Sequence, residues 1–188
     1  MSTLSMIELA AVAVVLMIVV SIYNRLVTLG RRCDQSFADI DVQMKQRHDL
    51  IPNLVETVKG YATHESGTLE AVMRARAAAQ SAVTPDARMQ GEAALGAALG
   101  RLMVVVEAYP DLKASANFSS LQDELSDIEN KIAAARRYLN SAVGEHNATL
   151  AQFPANLVAM LFGLQEKAFF DLGTEQRKVM DLAPAVKF

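Results

Sequence analysis

The chain has 188 residues, of which 52% are apolar and 21% are charged, with a net charge of −3 and no tryptophan. A single cysteine excludes an intramolecular disulfide, and the small negative charge argues against a nucleic-acid-binding protein, which usually carries a basic surface. Abundant Ala, Leu, Met, Glu and Arg favour helices.

The first 23 residues form one apolar segment. Between Leu4 and Tyr23 the only charged side chain is Glu8, and residues 9–20 are all apolar. A helix of about 20 residues covers about 30 Å, which is the thickness of the hydrocarbon core of a bilayer. The sequence therefore predicts a transmembrane anchor at residues 1–23.

A cleaved signal peptide is the alternative interpretation, and it needs a basic residue before the apolar run and small residues after it. The chain instead starts Met1-Ser2-Thr3, and the run continues into Ile22-Tyr23-Asn24-Arg25. Basic residues follow the segment, whereas none precedes it: Arg25, Arg31, Arg32, Lys45 and Arg47. The positive-inside rule then predicts an outer N-terminus, with the rest of the chain in the cytoplasm.

An amphipathic helix follows the apolar segment without a strong stop signal. Positions three or four residues apart from Phe37 to Tyr61 are apolar, with Arg47 as the exception. The same spacing runs back through Cys33 to Tyr23. We therefore expect the anchor to continue directly into the first helix of the bundle.

Pro52 lies inside this helical pattern. Because proline has no N–H, it cannot donate to the carbonyl of His48, and the helix is predicted to bend there. Two shorter helices are predicted next, at about residues 66–83 and 86–109. Small residues in the second of these, within 93–100, would let another helix approach closely.

A longer stripe of positions alternates steps of four and three residues from Leu121 to Phe153. Eight of its ten members are apolar, and the polar ones are His146 and Thr149. This spacing is typical of coiled-coil packing. A last helix is predicted from Pro154 to about residue 172, followed by a tail at 173–188. The predicted fold is all-α: an elongated antiparallel bundle of four to five long helices in residues 24–172, after the N-terminal transmembrane helix.

Motifs for catalysis are missing from the chain. No histidine follows a glutamate by three residues, His64-Glu65 lacks the second histidine of a zinc protease, and there is no glycine-rich phosphate loop. Cys33 has no evident base beside it and is interpreted as a structural thiol. The sequence therefore predicts no enzymatic activity, no cofactor and no metal site.

A polar cluster on the first bundle helix is the candidate interaction surface. It contains Asp41, His48, Asp49 and Asn53, which is more polar residues than an amphipathic helix requires. A solvated helix face with ion pairs four residues apart, such as Asp41 with Lys45, is the alternative. Both interpretations stay open at this point.

Several segments resemble the signature of the LemA family: residues 40–45, 49–62, 107–114, 117–125 and 153–156. The resemblance implies a single-pass protein of the bacterial inner membrane with a short outer N-terminus and a cytoplasmic helical bundle. It implies no catalytic residues. Genes of such proteins often neighbour those of membrane zinc proteases, and the family has a magnetosome-associated relative.

Two functions follow from these observations. The first is a membrane-anchored, non-catalytic helical scaffold that self-associates. The second is an accessory factor to a membrane protease or to an envelope quality-control system. The expected partners are the lipid bilayer, another copy of the chain and a membrane protein such as a zinc membrane protease, but not nucleic acid.

Overall fold

A computed structural model describes residues 3–170, except for the side chains of residues 4, 85 and 86. Helices and their connections make up this part of the chain, which contains no strand. The helices are α1 (Thr3–Lys59), α2 (Ser66–Ser81), α3 (Pro85–Val106), α4 (Pro110–Lys113), α5 (Ala116–Ala151) and α6 (Ala155–Phe162). The all-α prediction is confirmed, and the four-residue helix α4 is the one that the sequence did not predict. The predicted tail at 173–188 lies outside the described residues.

Helix α1 is continuous over 57 residues, as the sequence predicted, and it passes through Pro52. Residues 6–18 of α1 are exposed on all sides, whereas a buried face begins at Leu26. Among the described residues, α1 and α3 contain stretches long and apolar enough to cross a membrane. None of the α1 stretch is buried, but 39% of the α3 stretch is, as expected for a helix that contributes to a core.

Two positions of the predicted buried face are wrong: Tyr61, 47% exposed, lies beyond the end of α1, and Phe37 lies within the helix. Phe37 is 48% exposed, and its neighbour Ser36, at 1%, takes its place in the core. The face therefore steps by three and then four residues, from Cys33 to Ser36 to Ile40. The Ser36 hydroxyl donates to the carbonyl of Arg32 at 2.7 Å, so its burial leaves no donor unpaired.

The described residues divide into two compact units, and α1 and α5 contribute to both. Among the described residues, unit 1 contains 3–40 and 134–170, and unit 2 contains 41–133. Helix α5 buries most of the predicted stripe, including both polar members: Leu125, Ile128, Ile132, Leu139, Ala142, His146 and Thr149. Phe153, the last member, lies beyond the end of α5 and is 80% exposed.

The prediction that the last helix reaches residue 172 is wrong, because α6 ends at Phe162. Gly163 follows with φ of 66°, a left-handed conformation that glycine adopts without strain and that commonly ends helices. Its N–H and that of Leu164 both donate to the carbonyl of Ala159. Residues 164–170 then continue without helix or strand.

Two asparagines of α5 hold residues 164–170 through the backbone. The Asn147 amide donates to the carbonyl of Lys167 and accepts from its N–H, both at 2.9 Å. Asn140 pairs in the same way with Phe170, at 3.0 and 2.8 Å. Seven helical residues rise about 10 Å, which is also the length of three extended residues. The backbone N–H and carbonyl groups of Lys167 and Phe170 thus bond to side chains of α5, whereas in a longer α6 they would bond to the backbone of the helix itself.

Ile132 provides a test of the buried face of α5, because it is 1% exposed whereas its neighbour Ala133 is exposed. Ile132→Asp places an unpaired carboxylate in the core and should lower the free energy of unfolding by about 4 kcal/mol or more. Ala133→Asp adds the same charge on the solvent side and should change it little. Unfolding followed by circular dichroism in detergent measures both, and equal stability of the two variants would contradict the assigned face.

Candidate functional site

A cluster of charged side chains is buried inside unit 2. The guanidinium of Arg47 contacts Glu92 Oε2 at 2.6 Å and Glu129 Oε1 at 2.7 Å. His48 Nε2 lies 2.8 Å from the other carboxylate oxygen of Glu92. The side chains of Arg47 and Glu92 are 4% and 5% exposed, while that of Glu129 is 44% exposed. The cluster therefore joins α1, α3 and α5, with the Arg47–Glu92 pair away from bulk water and Glu129 at its solvent-exposed side.

Pro52 adds a further contact to this cluster. Because it has no N–H, the carbonyl of His48 lacks its usual donor four residues later. Arg76 of α2 supplies one instead, since its Nε donates to that carbonyl at 2.6 Å. Residues 47 and 48 thus bring α2, α3 and α5 to one turn of α1. The proline inside a helix has a defined structural consequence here.

A shallow groove of about 340 Å³ lies over the buried cluster. Its lining comes from α1, α2 and α3: Asp41, Met44, Lys45, His48, Ala79, Gln80, Arg88 and Glu92. Arg88 Nη1 and Asp41 Oδ1 are 2.9 Å apart at the rim of the groove. Helices α2 and α3 approach closely beside the groove, and Gly91 permits this because it has no Cβ. A Cβ at this position would lie 2.8 Å from the Cα of Ala79.

The structure brings only part of the predicted surface together. Asp41 and His48 both line the groove, but His48 is 6% exposed and thus mostly inside the unit. Asp49 is exposed and pairs with Lys45 at 2.5 Å, a hydrogen bond that lowers the pKa of its carboxyl. Asn53 is exposed and is not among the groove residues. The ion pair four residues apart joins Lys45 to Asp49 instead of Asp41, which bonds to Arg88.

Sequence reasoning missed the acidic partners of this site. Arg47 was the one charged residue on an apolar stripe, which signals that a buried carboxylate must face it. Glu92 is the only charged residue between Arg88 and Arg101 in α3, so it was the candidate within that helix. Arg76 carried no such signal, because it lies in a helix with other polar residues and bonds to a backbone carbonyl.

The groove offers charged hydrogen-bonding groups and no nucleophilic hydroxyl or thiol in its lining. Among residues 3–170, no group of three or more His, Cys, Asp or Glu side chains is placed to hold a metal ion. Cys33 lies in unit 1 and is fully buried, and this burial raises the pKa of its thiol. Its thiol is therefore protonated and shielded at neutral pH. The arrangement fits recognition or structural support.

The two arginines of the site differ in burial and should differ in their contribution to stability. Arg47→Met leaves Glu92 buried without its guanidinium and should lower the free energy of unfolding by about 3–5 kcal/mol. Arg88→Met removes an ion pair whose side chains are 46% and 55% exposed, and should cost about 0–1 kcal/mol. Denaturant unfolding of the two variants checks this, and combining Arg47→Met with Glu92→Met should restore part of the loss. A loss of only about 0–1 kcal/mol for Arg47→Met as well would show that the buried cluster does not stabilise the fold.

Comparison with known proteins places these features in a family. The chain matches the LemA family profile over residues 36–188. It is 25% identical over 174 residues to magnetosome protein MamQ of Magnetospirillum gryphiswaldense, with 79% of this chain and 64% of that protein covered. It is 26% identical over 143 residues to protein LemA of Metamycoplasma hominis, with 76% and 65% covered. The alignments thus span slightly less than two thirds of these relatives.

The profile begins at Ser36, in the buried face of α1, and includes the whole of α2 to α6. It therefore covers the charged cluster, the groove and the helices that form them. The exposed apolar part of α1, together with the relatives, indicates association with a membrane. Because the match extends over most of its length, the chain belongs to the LemA family.

Proposed function

We propose that this protein is a membrane-anchored, non-catalytic interaction protein. The apolar part of α1 spans the inner membrane of a bacterium, and the helices that follow present surfaces to another copy of the chain or to a partner. The observation that carries the proposal is the exposure of residues 6–18 on all sides of a helix that continues into the folded units.

Burial in lipid explains this exposed segment. Large apolar side chains there are about half to two thirds exposed, with Leu16 at 60% and Met17 at 64%. Each buried methylene gains about 0.8 kcal/mol on leaving water, so a bilayer stabilises such a segment strongly. A helix also satisfies its own backbone hydrogen bonds, as a segment in hydrocarbon requires.

The charges next to the apolar segment set the proposed orientation. Arg25, Arg31 and Arg32 follow it, all on exposed positions of α1. By the positive-inside rule this end of the segment faces the cytoplasm.

A green fluorescent protein fused after residue 188 tests this orientation. It should fluoresce in cells if the C-terminal part of the chain is cytoplasmic. A fusion that is fully produced but not fluorescent would show that the orientation is the opposite one.

A role without catalysis agrees with the candidate site. Its charged groups form ion pairs with one another: Arg47 pairs with Glu92 and Glu129, and Arg88 pairs with Asp41. The names of the matched relatives, a magnetosome protein and LemA, are not those of enzymes. We therefore assign the charged cluster to the stability of unit 2, and the groove to recognition of a partner.

Helix α3 offers a surface for self-association. Ala93, Ala97 and Gly100 are exposed, and Val104 on the same face is 74% exposed. A Cβ at Gly96 or Gly100 would meet no atom within 4 Å, so no described residue covers this face. Small residues let two helix backbones approach closely, which supports contact between two copies here.

Two charges placed in the apolar segment should prevent insertion of the protein into the membrane. Val12→Asp with Leu16→Asp puts them one turn apart, at a cost of about 5–7 kcal/mol in a bilayer. The matched control, Ala38→Asp with Val42→Asp, has the same spacing on exposed positions of α1 outside that segment. After an alkaline wash of membranes, the control should stay in the pellet and the first variant should be released. Retention of both would refute the anchor.

Disulfide crosslinking tests the surface of α3 in native membranes. Ala97→Cys should give a band of twice the mass on oxidation, because equivalent positions of two copies meet there. Glu124→Cys, an exposed position of α5, serves as the control and should not. The absence of any crosslink at Ala97 would reject self-association through α3. A crosslink to a different protein would instead favour the accessory-factor function.

A further inference from the structure

Helix α6 is apolar on both of its faces. Seven of its eight residues are apolar, and Asn156 is the exception. One face, with Ala155, Val158 and Ala159, is buried. The opposite face carries Met160, 80% exposed, beside other large apolar side chains: Leu157 at 54%, Leu161 at 74% and Phe162 at 50%. A helix on the water-exposed surface of a protein normally turns a polar face outward, so α6 requires an apolar partner.

The position of α6 identifies that partner. Its buried face packs against Leu26 of α1, with Ile22 beside it. The ring of Phe162 lies 4.7 Å from that of Tyr23, centroid to centroid. These residues of α1 lie at the end of the apolar segment and just beyond it. Leu26 is six residues beyond Val20, about 9 Å along the helix, so α6 is located where a spanning α1 would leave the hydrocarbon.

Charge supports the same assignment. No aspartate, glutamate, lysine or arginine occurs from Asn147 to Gln165, a range that includes all of α6 and the turn before it. Phe153 in that turn is 80% exposed. Charged groups return at Glu166 and Lys167, and Lys167 pairs with Asp34 of α1 at 2.5 Å. Asp34 lies eight residues beyond Leu26, about 12 Å further from the apolar segment.

We propose that α6 and Phe153 are a second membrane contact, immersed in the interface of the bilayer beside the transmembrane part of α1. Aromatic and large apolar side chains favour this region, and interfacial helices bury their apolar side about 5–10 Å deep. The occupant of the exposed face is the lipid bilayer. The inference rests on the proposed membrane span of α1, but it assigns a separate surface of unit 1.

Spin labels on the full-length protein test this contact in vesicles of phosphatidylethanolamine and phosphatidylglycerol. Cysteine is introduced by Met160→Cys in a Cys33→Ala background, since Cys33 is the only native cysteine. Oxygen concentrates in lipid and a polar nickel complex in water, so their collision rates with the label report its surroundings. The label at residue 160 should collide more with oxygen than with nickel.

Two reference positions separate the possible results. A label introduced by Leu16→Cys reports the membrane span, and one introduced by Glu124→Cys reports an exposed position in water. If the label at 16 is in lipid and the label at 160 behaves like that at 124, α6 does not touch the bilayer and the inference is overturned. A label at 160 that neither reagent reaches also overturns it, because a protein segment then covers α6. If the label at 16 is in water, the membrane span and this inference both fail.

Discussion

A buried guanidinium needs counter-charges close by, and this requirement organises unit 2. Arg47 occupies a position of α1 where every neighbouring turn contributes an apolar side chain, and carboxylates of α3 and α5 meet it there. Three helices are thereby brought to one point, and His48 and Arg76 extend the network to a fourth. Because an unpaired buried charge costs several kcal/mol, alternative registers of these helices are strongly disfavoured. The groove over the cluster is a consequence of this arrangement.

Helix periodicity made most of the fold predictable. The spacing of apolar residues gave the continuity of α1 and the buried face of α5, because burial of one face follows directly from the helical repeat. The burial of Ser36 in the position expected for Phe37 was not predictable in the same way. Hydropathy favours the phenylalanine, and only the local bond to Arg32 shows how the serine is accommodated. The end of α6 at Gly163 depended on a backbone conformation and on partners distant in sequence.

The candidate site was predictable in its residue types more than in its pairings. Asp41 and His48 do line one groove, but their partners come from α3, and one sequence does not show which turns of two helices face each other. Arg47 was visible as an exception on an apolar stripe, and its meaning required Glu92 to be placed opposite. Asn53 is exposed but is not among the residues that line the groove, so polar residues close together along a helix need not share one site.

The attachment of residues 164–170 to α5 depends on the number of residues in the segment more than on the identity of their side chains. The amides of Asn140 and Asn147 bind backbone groups of Phe170 and Lys167, so these four hydrogen bonds do not depend on which side chains the segment carries. A substitution that keeps the backbone path leaves these bonds intact, whereas an insertion or deletion between residues 167 and 170 would break one of the paired amide contacts. The distance between Asn140 and Asn147 on α5 thus fixes the number of residues that the chain can place between Lys167 and Phe170.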